Sequence, residues 1–290
     1  MRHTENERIE LRLLKEAIFH KYGYDFRNYA EASIKRRVMA FLKETRIESI
    51  SMLQHRVLYD ASLFKHLLAG LSINVTEMFR DPGFYASIRK YVIPILRELP
   101  FFKLWHAGCS TGMEVYSMAI ILEEEGLSEK ARIYATDFDE TVLQKARDGI
   151  FPLEHAREYT ANYQKAGGLA SFSDYFTAKY EHAIFKSSLK KNVVFADHNL
   201  ASDGVFGEMN LIFCRNVLIY FNKDLQNRVF KLFYESLADD GFLCLGAKES
   251  IRYSRYSDAF ADVAPKDKIY RKIENGPAAE TPIRPYHDLS

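Results

Sequence analysis

From about residue 100 the sequence alternates short apolar runs with amphipathic segments, and this alternation restricts the fold more than any other feature. The strand-like runs are FFKLWHAG, RIYATD, NVVFADHN, MNLIFCRN and FLCLGA. Helical patterns separate them: VYSMAIILEEEG, ETVLQKARDG and KDLQNRVFKLFYESLADDG. Strand–helix–strand alternation predicts an α/β domain, with a mostly parallel, doubly wound sheet that helices cover on both faces. A last run, KIYRKI, is predicted to close the sheet as an edge strand.

Other parts of the chain have different patterns. Three helical runs, IELRLLKEAIFHKYG, YAEASIKRRVMAFLKET and SMLQHRVLYDASLFKHLLAGL, predict a helical N-terminal domain at 1–72. A linker at 73–84 would join it to the α/β domain at 85–275. Residues 171–191 contain a period-2 stretch, which predicts a small antiparallel β addition. Residues 276–290 hold three of the eight prolines and are predicted to be a disordered tail.

Composition excludes several classes of protein. The 290 residues carry 40 Lys plus Arg against 39 Asp plus Glu, so the global positive field of a nucleic-acid-binding protein is absent. No apolar run approaches the roughly 18–20 residues that span a bilayer, and the first residues, MRHTENERIELRLLK, are charged. We therefore expect a cytoplasmic protein without a nucleic-acid partner or membrane insertion. Cys109, Cys214 and Cys244 fit no zinc or disulfide spacing, the nine histidines show no ligand pairing, and no metal is expected.

The loop after the first predicted strand, HAGCSTGMEVYS, is the first candidate ligand site, because ligands bind at the carboxyl ends of such strands. Gly108 and Gly112 let the backbone approach a ligand, but they are four apart and do not form G-x-G-x-x-G. Glu114 would repel a diphosphate and attract a cation. S-adenosylmethionine, which has an ammonium, a sulfonium and no phosphate, therefore suits this loop better than a dinucleotide. Alternatively, Glu114 only favours its helix dipole.

Asp137 ends the second predicted strand in ATDFD. A carboxylate at this place can accept hydrogen bonds from both ribose hydroxyls of an adenosine. Alternatively, Asp137 caps the following helix, which Asp139 could do equally well. Together, the two loops favour a cofactor that contains a nucleoside.

Polar residues also follow the later strands. Arg215 and Asn216 end the fourth strand, in FCRNVLIYF, and Tyr220 comes four residues after Asn216. Buried polar groups need partners, and a ligand would be one; a helix cap and a core tyrosine are the alternative. Asn199, at the end of the third strand, is ambiguous in the same way. The linker SINVTEMFRDPGFY does not by itself predict a site, because a helix start and a surface ion pair would explain its polar residues.

Four motifs in order, SINVTEMFRDP, AGCSTGMEVYSMAI, ATDFDETVLQKARDGIF and IFCRNVLIYFNK, resemble those of the CheR-type chemotaxis receptor methyltransferases, and the resemblance covers about residues 10–273. It implies a helical domain and a Rossmann-like methyltransferase domain with an inserted β-subdomain. It also implies methylation of glutamate side chains on bacterial chemoreceptors for sensory adaptation, with S-adenosyl-L-methionine as the methyl donor and S-adenosyl-L-homocysteine as the product. The implied cofactor-binding residues are Asn74, Thr76, Arg80, Glu114, Asp137, Asn199, Leu200, Arg215 and Asn216.

The resemblance also implies the residues near the reaction. Tyr220 is expected beside the transferred methyl, and Arg80 is expected to pair with the cofactor's carboxylate, so both are candidate catalytic residues. A glutamate carboxylate is already deprotonated at pH 7, so no general base is expected. One departure is that Met113 and Val115 flank Glu114 where the family usually has a second glutamate and a proline. The alternative function is a non-catalytic methyltransferase-like module that binds the cofactor or a receptor without turnover.

Two further expectations concern partners. Lys35, Arg36 and Arg37 lie in one helical turn and are expected to dock the glutamate-rich helical bundle of a chemoreceptor; a solvated face without a partner is the alternative. Some family members bind a receptor pentapeptide at the edge of the β-subdomain, beside a glycine-rich turn. Residues 176–191 contain no glycine, and side chains such as Tyr180, His182 and Phe185 are expected to crowd the turn. A pentapeptide-independent enzyme is therefore expected, unless those glycines reflect only turn geometry. A monomer is expected as well.

Overall fold

The computed structural model describes residues 2–71 and 76–273. Asn74 and the predicted tail at 276–290 lie outside the described residues. Within residues 2–71 the chain forms four helices, α1 (Arg2–Tyr22), α2 (Glu31–Thr45), α3 (Ile50–Tyr59) and α4 (Ala61–Leu71). Their apolar faces form one core, to which each helix contributes a buried side chain such as Leu14, Val38, Leu53 and Leu67.

The helical region has one more helix than the sequence predicts. The third predicted run is divided at Asp60, which has extended backbone angles. The Asp60 carboxylate accepts hydrogen bonds from the N–H groups of Ser62 and Leu63, at 2.9 and 3.0 Å. Asp60 therefore caps α4, since a side-chain oxygen at this position satisfies N–H groups that have no partner in the first helical turn.

The α/β region begins with a helix that passes through a π-helical turn, α5 (Pro82–Ser87), Ile88–Val92 and α6 (Ile93–Glu98). The remaining helices are α7 (Met113–Glu124), α8 (Glu140–Asp148), α9 (Ala156–Lys165) and α10 (Lys223–Ser236). The strands are β1 (Phe102–Ala107), β2 (Ala131–Asp137), β3 (Ile150–Pro152), β4 (Phe176–Lys179), β5 (His182–Phe185), β6 (Val193–Asp197), β7 (Met209–Cys214), β8 (Leu237–Leu245), β9 (Phe260–Ala264) and β10 (Ile269–Lys272).

Seven strands form one sheet in the order β6-β2-β1-β7-β8-β10-β9. The first five are parallel, and β10 is antiparallel to both of its neighbours. Successive side chains of β1 point to opposite faces, so Leu104 lies in one apolar cluster and Trp105 in the other. The predicted α/β fold is therefore confirmed. The strand order reverses at β1, so the carboxyl ends of β1, β2 and β7 border a crevice.

The prediction that KIYRKI forms the edge strand is wrong in one respect. The run KIYRKI does form β10, but β10 lies between β8 and β9, and β9 is the edge strand. β9 (FADVA) has two exposed residues among its five. Its sequence lacks the continuous apolar run of the buried strands, so the pattern used to find those strands could not identify it.

A second, antiparallel sheet has the order β3-β5-β4. It is the small β addition that the sequence predicts, but it begins earlier than residues 171–191, because Ile150–Pro152 supplies one of its strands. Phe185 stacks on Tyr116 of α7, with ring centroids 4.3 Å apart, and so joins this β-subdomain to the larger sheet. Tyr180 does not crowd the β4–β5 turn as expected, since its side chain is exposed. Among the residues in the described ranges, no helix has the length and apolar composition needed to cross a membrane.

Candidate cofactor and active site

A cleft that is open to solvent lies at the crevice where the strand order reverses. Its walls come from the helical region, from the segment after it and from the loops that follow β1, β2, β6 and β7. Nine of the predicted site residues line it: Thr76, Arg80, Glu114, Asp137, Asn199, Leu200, Arg215, Asn216 and Tyr220. The tenth, Asn74, is outside the described residues. The structure thus brings together residues that are spread over about half of the sequence.

The loop between β1 and α7 makes a tight turn at the floor of the cleft. The N–H groups of Gly108 and Cys109 both donate to the Thr136 carbonyl oxygen, at 2.8 Å. Gly108 has φ +80°, and a Cβ atom there would lie 2.7 Å from Cγ2 of Val217. Gly112 also has a positive φ, of +87°. Glycine is required at Gly108 by both conformation and space, and the turn aims the loop's backbone at the cleft.

Asp137 lies at the carboxyl end of β2 with its side chain largely buried. One carboxylate oxygen accepts a hydrogen bond from the Ser110 N–H at 2.9 Å, and the other accepts one from the Asp139 N–H at 3.2 Å. Burial raises the pKa of Asp137 to about 6, although these hydrogen bonds oppose the rise. Asp139 accepts a hydrogen bond from the Thr141 N–H at 2.9 Å and is the cap of α8. The capping role considered for Asp137 therefore belongs to Asp139.

The carboxylate of Glu114 is held by the side chains of His106 and Arg215. Its Oε1 lies 2.9 Å from Nδ1 of His106, and its Oε2 lies 3.2 Å from Nη1 of Arg215. Burial would raise the pKa of Glu114, but the hydrogen bond from His106 and the charge of Arg215 outweigh it and lower the pKa. Glu114 is therefore ionised at neutral pH. Its position is fixed by specific partners and not by the helix dipole alone.

Arg215 connects the segment after the helical region to the cofactor loop. Besides Glu114, its guanidinium contacts Oδ2 of Asp81 at 2.7 Å and lies 4.0 Å from the centre of the Phe84 ring. Its side chain is almost completely buried. A buried charge is tolerated only with such partners, so Arg215 holds the two segments together at the wall of the cleft.

The turn after β7 carries Asn216 and Tyr220. Asn216 has a positive φ of 63°. The carboxylate of Glu249 accepts hydrogen bonds from the N–H groups of Asn216 and Gly246 at 2.9 and 2.6 Å, and from that of Ile219 at 3.3 Å. Tyr220 ends a short 3₁₀ turn, is half-buried and lines the cleft, so it is not a core tyrosine. Sequence reasoning missed Glu249, whose one signal was an acidic residue in the loop after an apolar strand.

The helical region closes one side of the cleft. The Ala30 N–H donates to the Tyr220 carbonyl oxygen at 2.8 Å, and Tyr29 lines the cleft. Arg37, which the sequence placed on a docking surface, is buried and also lines the cleft. Its Nη1 donates to the Leu71 carbonyl oxygen. That part of the docking prediction is wrong, because successive residues of a helix point about 100° apart.

The other two residues of the predicted docking surface remain outside. Nζ of Lys35 forms an ion pair with Glu7 at 2.7 Å, and Arg36 is exposed. At the far end of the cleft, Oδ1 of Asn199 accepts a hydrogen bond from the Ala201 N–H at 3.0 Å, which shapes the turn after β6. His198 lines the cleft beside it, and its Nε2 lies 3.1 Å from the Gly204 carbonyl oxygen. Sequence reasoning did not identify His198 or Tyr29.

The polar groups in this cleft fit S-adenosylmethionine. A carboxylate at the end of β2 suits ribose hydroxyls, an ionised Glu114 suits an ammonium, and Arg80 offers a cation to a carboxylate. The sheet order, the crevice and this donor set define a Rossmann-like S-adenosylmethionine-dependent methyltransferase. Family comparison agrees: residues 74–265 match the CheR methyltransferase, SAM binding domain, and residues 9–72 match the CheR methyltransferase, all-alpha domain. The chain belongs to the CheR methyltransferase family.

Individual relatives are similar over most of their length. A Pseudomonas putida protein named Cher3 is 54% identical over 94% of this chain and 100% of its own. A Listeria monocytogenes chemotaxis protein methyltransferase is 29% identical over 79% of this chain and 85% of its own. Chemotaxis protein methyltransferase 2 of Vibrio cholerae is 28% identical over 85% of this chain and 86% of its own. The family is thus that of the chemotaxis methyltransferases.

Proposed function

We propose that this methyltransferase transfers the methyl group of S-adenosylmethionine to glutamate side chains of bacterial chemoreceptors, forming glutamyl methyl esters for sensory adaptation. The observation that carries the proposal is the convergence of Asp137, Glu114, Arg80 and Tyr220 on one cleft with walls from both regions of the chain. The alternative is a binding module without turnover. Such a module would not require Tyr220, the residue expected beside the transferred methyl group, in this cleft.

Each group in the cleft has a role toward the cofactor. Asp137 accepts hydrogen bonds from the ribose hydroxyls, and Glu114 receives the ammonium. Arg80 pairs with the carboxylate of the methionine portion. The loop after β6, with Asn199 and Leu200, borders the adenine end. The binding set is completed by Asn74, Thr76, Arg215 and Asn216. Arg215 acts mainly by holding together the two segments that form one wall of the cleft.

The residues near the reaction act by positioning and by excluding water. The bound cofactor supplies an activated methyl group on a sulfonium. Tyr220 orients the incoming glutamate through its hydroxyl, and the guanidinium of Arg37, 4.5 Å from the centre of the Tyr220 ring, restricts the ring's position. A carboxylate nucleophile needs no general base at neutral pH. Catalysis therefore depends on holding the two reactants together in a site from which the surrounding walls exclude solvent.

The receptor is expected to approach through helix α2. Arg36 is exposed on that helix, one residue from Arg37, which lines the cleft. A glutamate-rich helix guided to Arg36 would bring its carboxylates near the entrance of the cleft. Of the three basic residues, Arg36 and Lys35 are therefore proposed to contact the receptor, and Arg37 is not.

Incubation with methyl-labelled S-adenosylmethionine and receptor-containing membranes tests the function. We expect base-labile methyl esters on the receptor, and none with Tyr220→Phe or with receptors whose methylation-region glutamates are replaced by alanine. S-adenosylhomocysteine binding should persist in Tyr220→Phe, which shows that the variant is folded. Binding of the cofactor product by the native protein, without any receptor esters, would support the non-catalytic alternative instead.

A further inference from the structure

His106 is a buried histidine behind the cofactor loop. It lies in β1 with no solvent exposure, and its ring stacks on Phe213 with centroids 4.4 Å apart and planes at 5°. Its Nδ1 lies 2.9 Å from Oε1 of Glu114. Its Nε2 has no hydrogen-bond partner among the residues that the structure describes. A polar ring buried near the carboxyl end of a parallel strand is costly unless it is hydrogen-bonded, so the contact with Glu114 is the one that offsets this cost among the described residues.

The partner of His106 determines which ring nitrogen carries the proton. Glu114 is ionised, and an ionised carboxylate only accepts hydrogen bonds. Nδ1 must therefore be the protonated nitrogen that donates to Glu114, and in the neutral ring Nε2 then carries no proton. His106 thus acts as a fixed donor to one carboxylate oxygen.

Two donors from different strands fix the Glu114 carboxylate. Nδ1 of His106 binds Oε1 from β1, and Nη1 of Arg215 contacts Oε2 from the end of β7, at 3.2 Å. Arg215 alone would be a weak anchor, because its closer contact, at 2.7 Å, is with Asp81. A carboxylate has about four lone-pair sites, so two remain for a ligand after these bonds.

We propose that His106 is a positioning residue for cofactor recognition, which fixes the Glu114 carboxylate so that it selects nucleoside ligands carrying an ammonium group. The inference rests on the proposed role of Glu114 toward that ammonium. Without the His106 hydrogen bond, one carboxylate oxygen loses its anchor and the carboxylate turns toward Arg215. The site then loses its preference for the ammonium while keeping the ribose contact at Asp137, which lies on the neighbouring strand.

Calorimetric titration with two ligands tests this role. The ligands are S-adenosylhomocysteine and its deamino analogue, which lacks only the amino group. The native chain is expected to bind S-adenosylhomocysteine more tightly. His106→Leu should weaken S-adenosylhomocysteine binding about tenfold, the effect of losing one hydrogen bond to a charged group, and leave the deamino analogue unchanged. His106→Asn, whose side-chain amide N–H can replace Nδ1–H, should recover most of the preference.

The outcomes separate this inference from the proposed function. An equal loss for both ligands in His106→Leu would mean that His106 only supports packing, and would overturn the inference while leaving Glu114 in its role. Equal binding of both ligands by the native chain would show that Glu114 does not bind the ammonium group. The inference about His106 would then be wrong as well. His106→Phe keeps the stacking on Phe213 and lacks the donor, so it provides the same comparison if the leucine variant does not fold.

Discussion

The guanidinium of Arg37 lies 4.5 Å from the centre of the Tyr220 ring, which places a residue of the helical region over a residue of the α/β region. The same junction includes the hydrogen bond from the Ala30 N–H to the Tyr220 carbonyl oxygen. The helical region is therefore part of the cleft and not only an attached docking module. Because Arg37 is buried and its Nη1 donates to the Leu71 carbonyl oxygen, its guanidinium is not available as a surface contact.

This junction changes how the docking surface should be tested. We predict that Arg36→Glu alone weakens receptor methylation at low salt and flattens its salt dependence, because charge steering acts on association and is screened by salt. The measurement is the initial methylation rate over a range of ionic strength. S-adenosylhomocysteine affinity should not change, since Arg36 does not line the cleft.

Arg46→Glu is the matched control, because Arg46 is also exposed but lies beyond the end of α2. It should leave the salt dependence closer to that of the native chain. A native-like rate for Arg36→Glu at low salt would show that the receptor does not dock at this face.

Asp137 provides the second prediction. Asp137→Ala should weaken S-adenosylhomocysteine binding by roughly tenfold to a hundredfold, because a hydrogen bond to a charged group contributes about 1.5–3 kcal/mol. Asp139→Ala is the control: it removes the cap of α8, at a cost of about 1 kcal/mol in folding stability, and should leave affinity nearly unchanged. Calorimetry gives the affinities and urea unfolding the stabilities. Unchanged binding in Asp137→Ala would mean that the ribose lies elsewhere.

The raised pKa of Asp137 gives a pH prediction. Burial raises it from 3.8 to about 6, so the carboxylate is ionised above that pH and protonated below it. The ionised form is the acceptor for both ribose hydroxyls. Affinity for S-adenosylhomocysteine should therefore be constant near neutral pH, where the ligand's ammonium group is protonated, and fall as the pH drops through 6, by about tenfold per unit at the limit. The pKa of Glu114 is lowered, so Glu114 stays ionised in this window. Asp137→Asn should remove the pH dependence, and a flat native profile down to pH 5 would contradict the assignment.

Glu249 is predicted to stabilise the turn that carries Tyr220. Glu249→Gln replaces one carboxylate oxygen with an amide NH₂ group, which cannot accept hydrogen bonds, so either the N–H groups of Asn216 and Gly246 or that of Ile219 lose their acceptor. We expect a loss of about 1–3 kcal/mol in the free energy of unfolding, measured with urea, and a lower methylation rate. Glu235→Gln, at an exposed site on α10, is the control. Native stability in Glu249→Gln would show that the turn does not depend on this carboxylate.

Much of the fold could be predicted because its main signals are local. Five parallel strands have continuous apolar sequences, and the helices between them have clear periodicity. β9 and β3 could not be found in this way, since one is an exposed edge strand and the other has three residues. The division of the third helical run at Asp60 depended on a cap within a pattern that otherwise continues.

The same holds for the candidate site: residues marked by a local sequence pattern could be predicted, and residues whose roles depend on the folded arrangement could not. Asp137 ends β2, and Glu114 lies in the first turn of the helix that follows β1, so the position of each in the cleft follows from the α/β pattern. The roles of His106 and Arg37 depend on neighbours that only the folded chain reveals: His106 is explained by Glu114 across the turn between β1 and α7, and Arg37 by the turn after β7, far away in sequence. A single basic or polar residue in a helix or strand does not reveal which way it faces until the neighbouring elements are placed.

The β-subdomain provides the last prediction, that this enzyme binds no receptor pentapeptide. A peptide that adds a strand to a sheet gains affinity from main-chain hydrogen bonds along an accessible edge. β4 is such an edge, but it has only four residues, Phe176–Lys179, and Tyr180 beyond it has a positive φ of 56°. That conformation ends the extended strand without a glycine.

A short edge strand ending in a lysine is one of the ways in which proteins prevent strand addition. A pentapeptide on β4 would form few main-chain hydrogen bonds, too few to offset the cost of ordering it. Titration of a receptor C-terminal pentapeptide should therefore give no heat of binding, and receptors with and without that pentapeptide should be methylated at equal rates. The alternative is that β4 accepts a peptide although the turn after it contains no glycine. One-to-one binding of the pentapeptide at micromolar concentration would support that alternative and contradict the prediction.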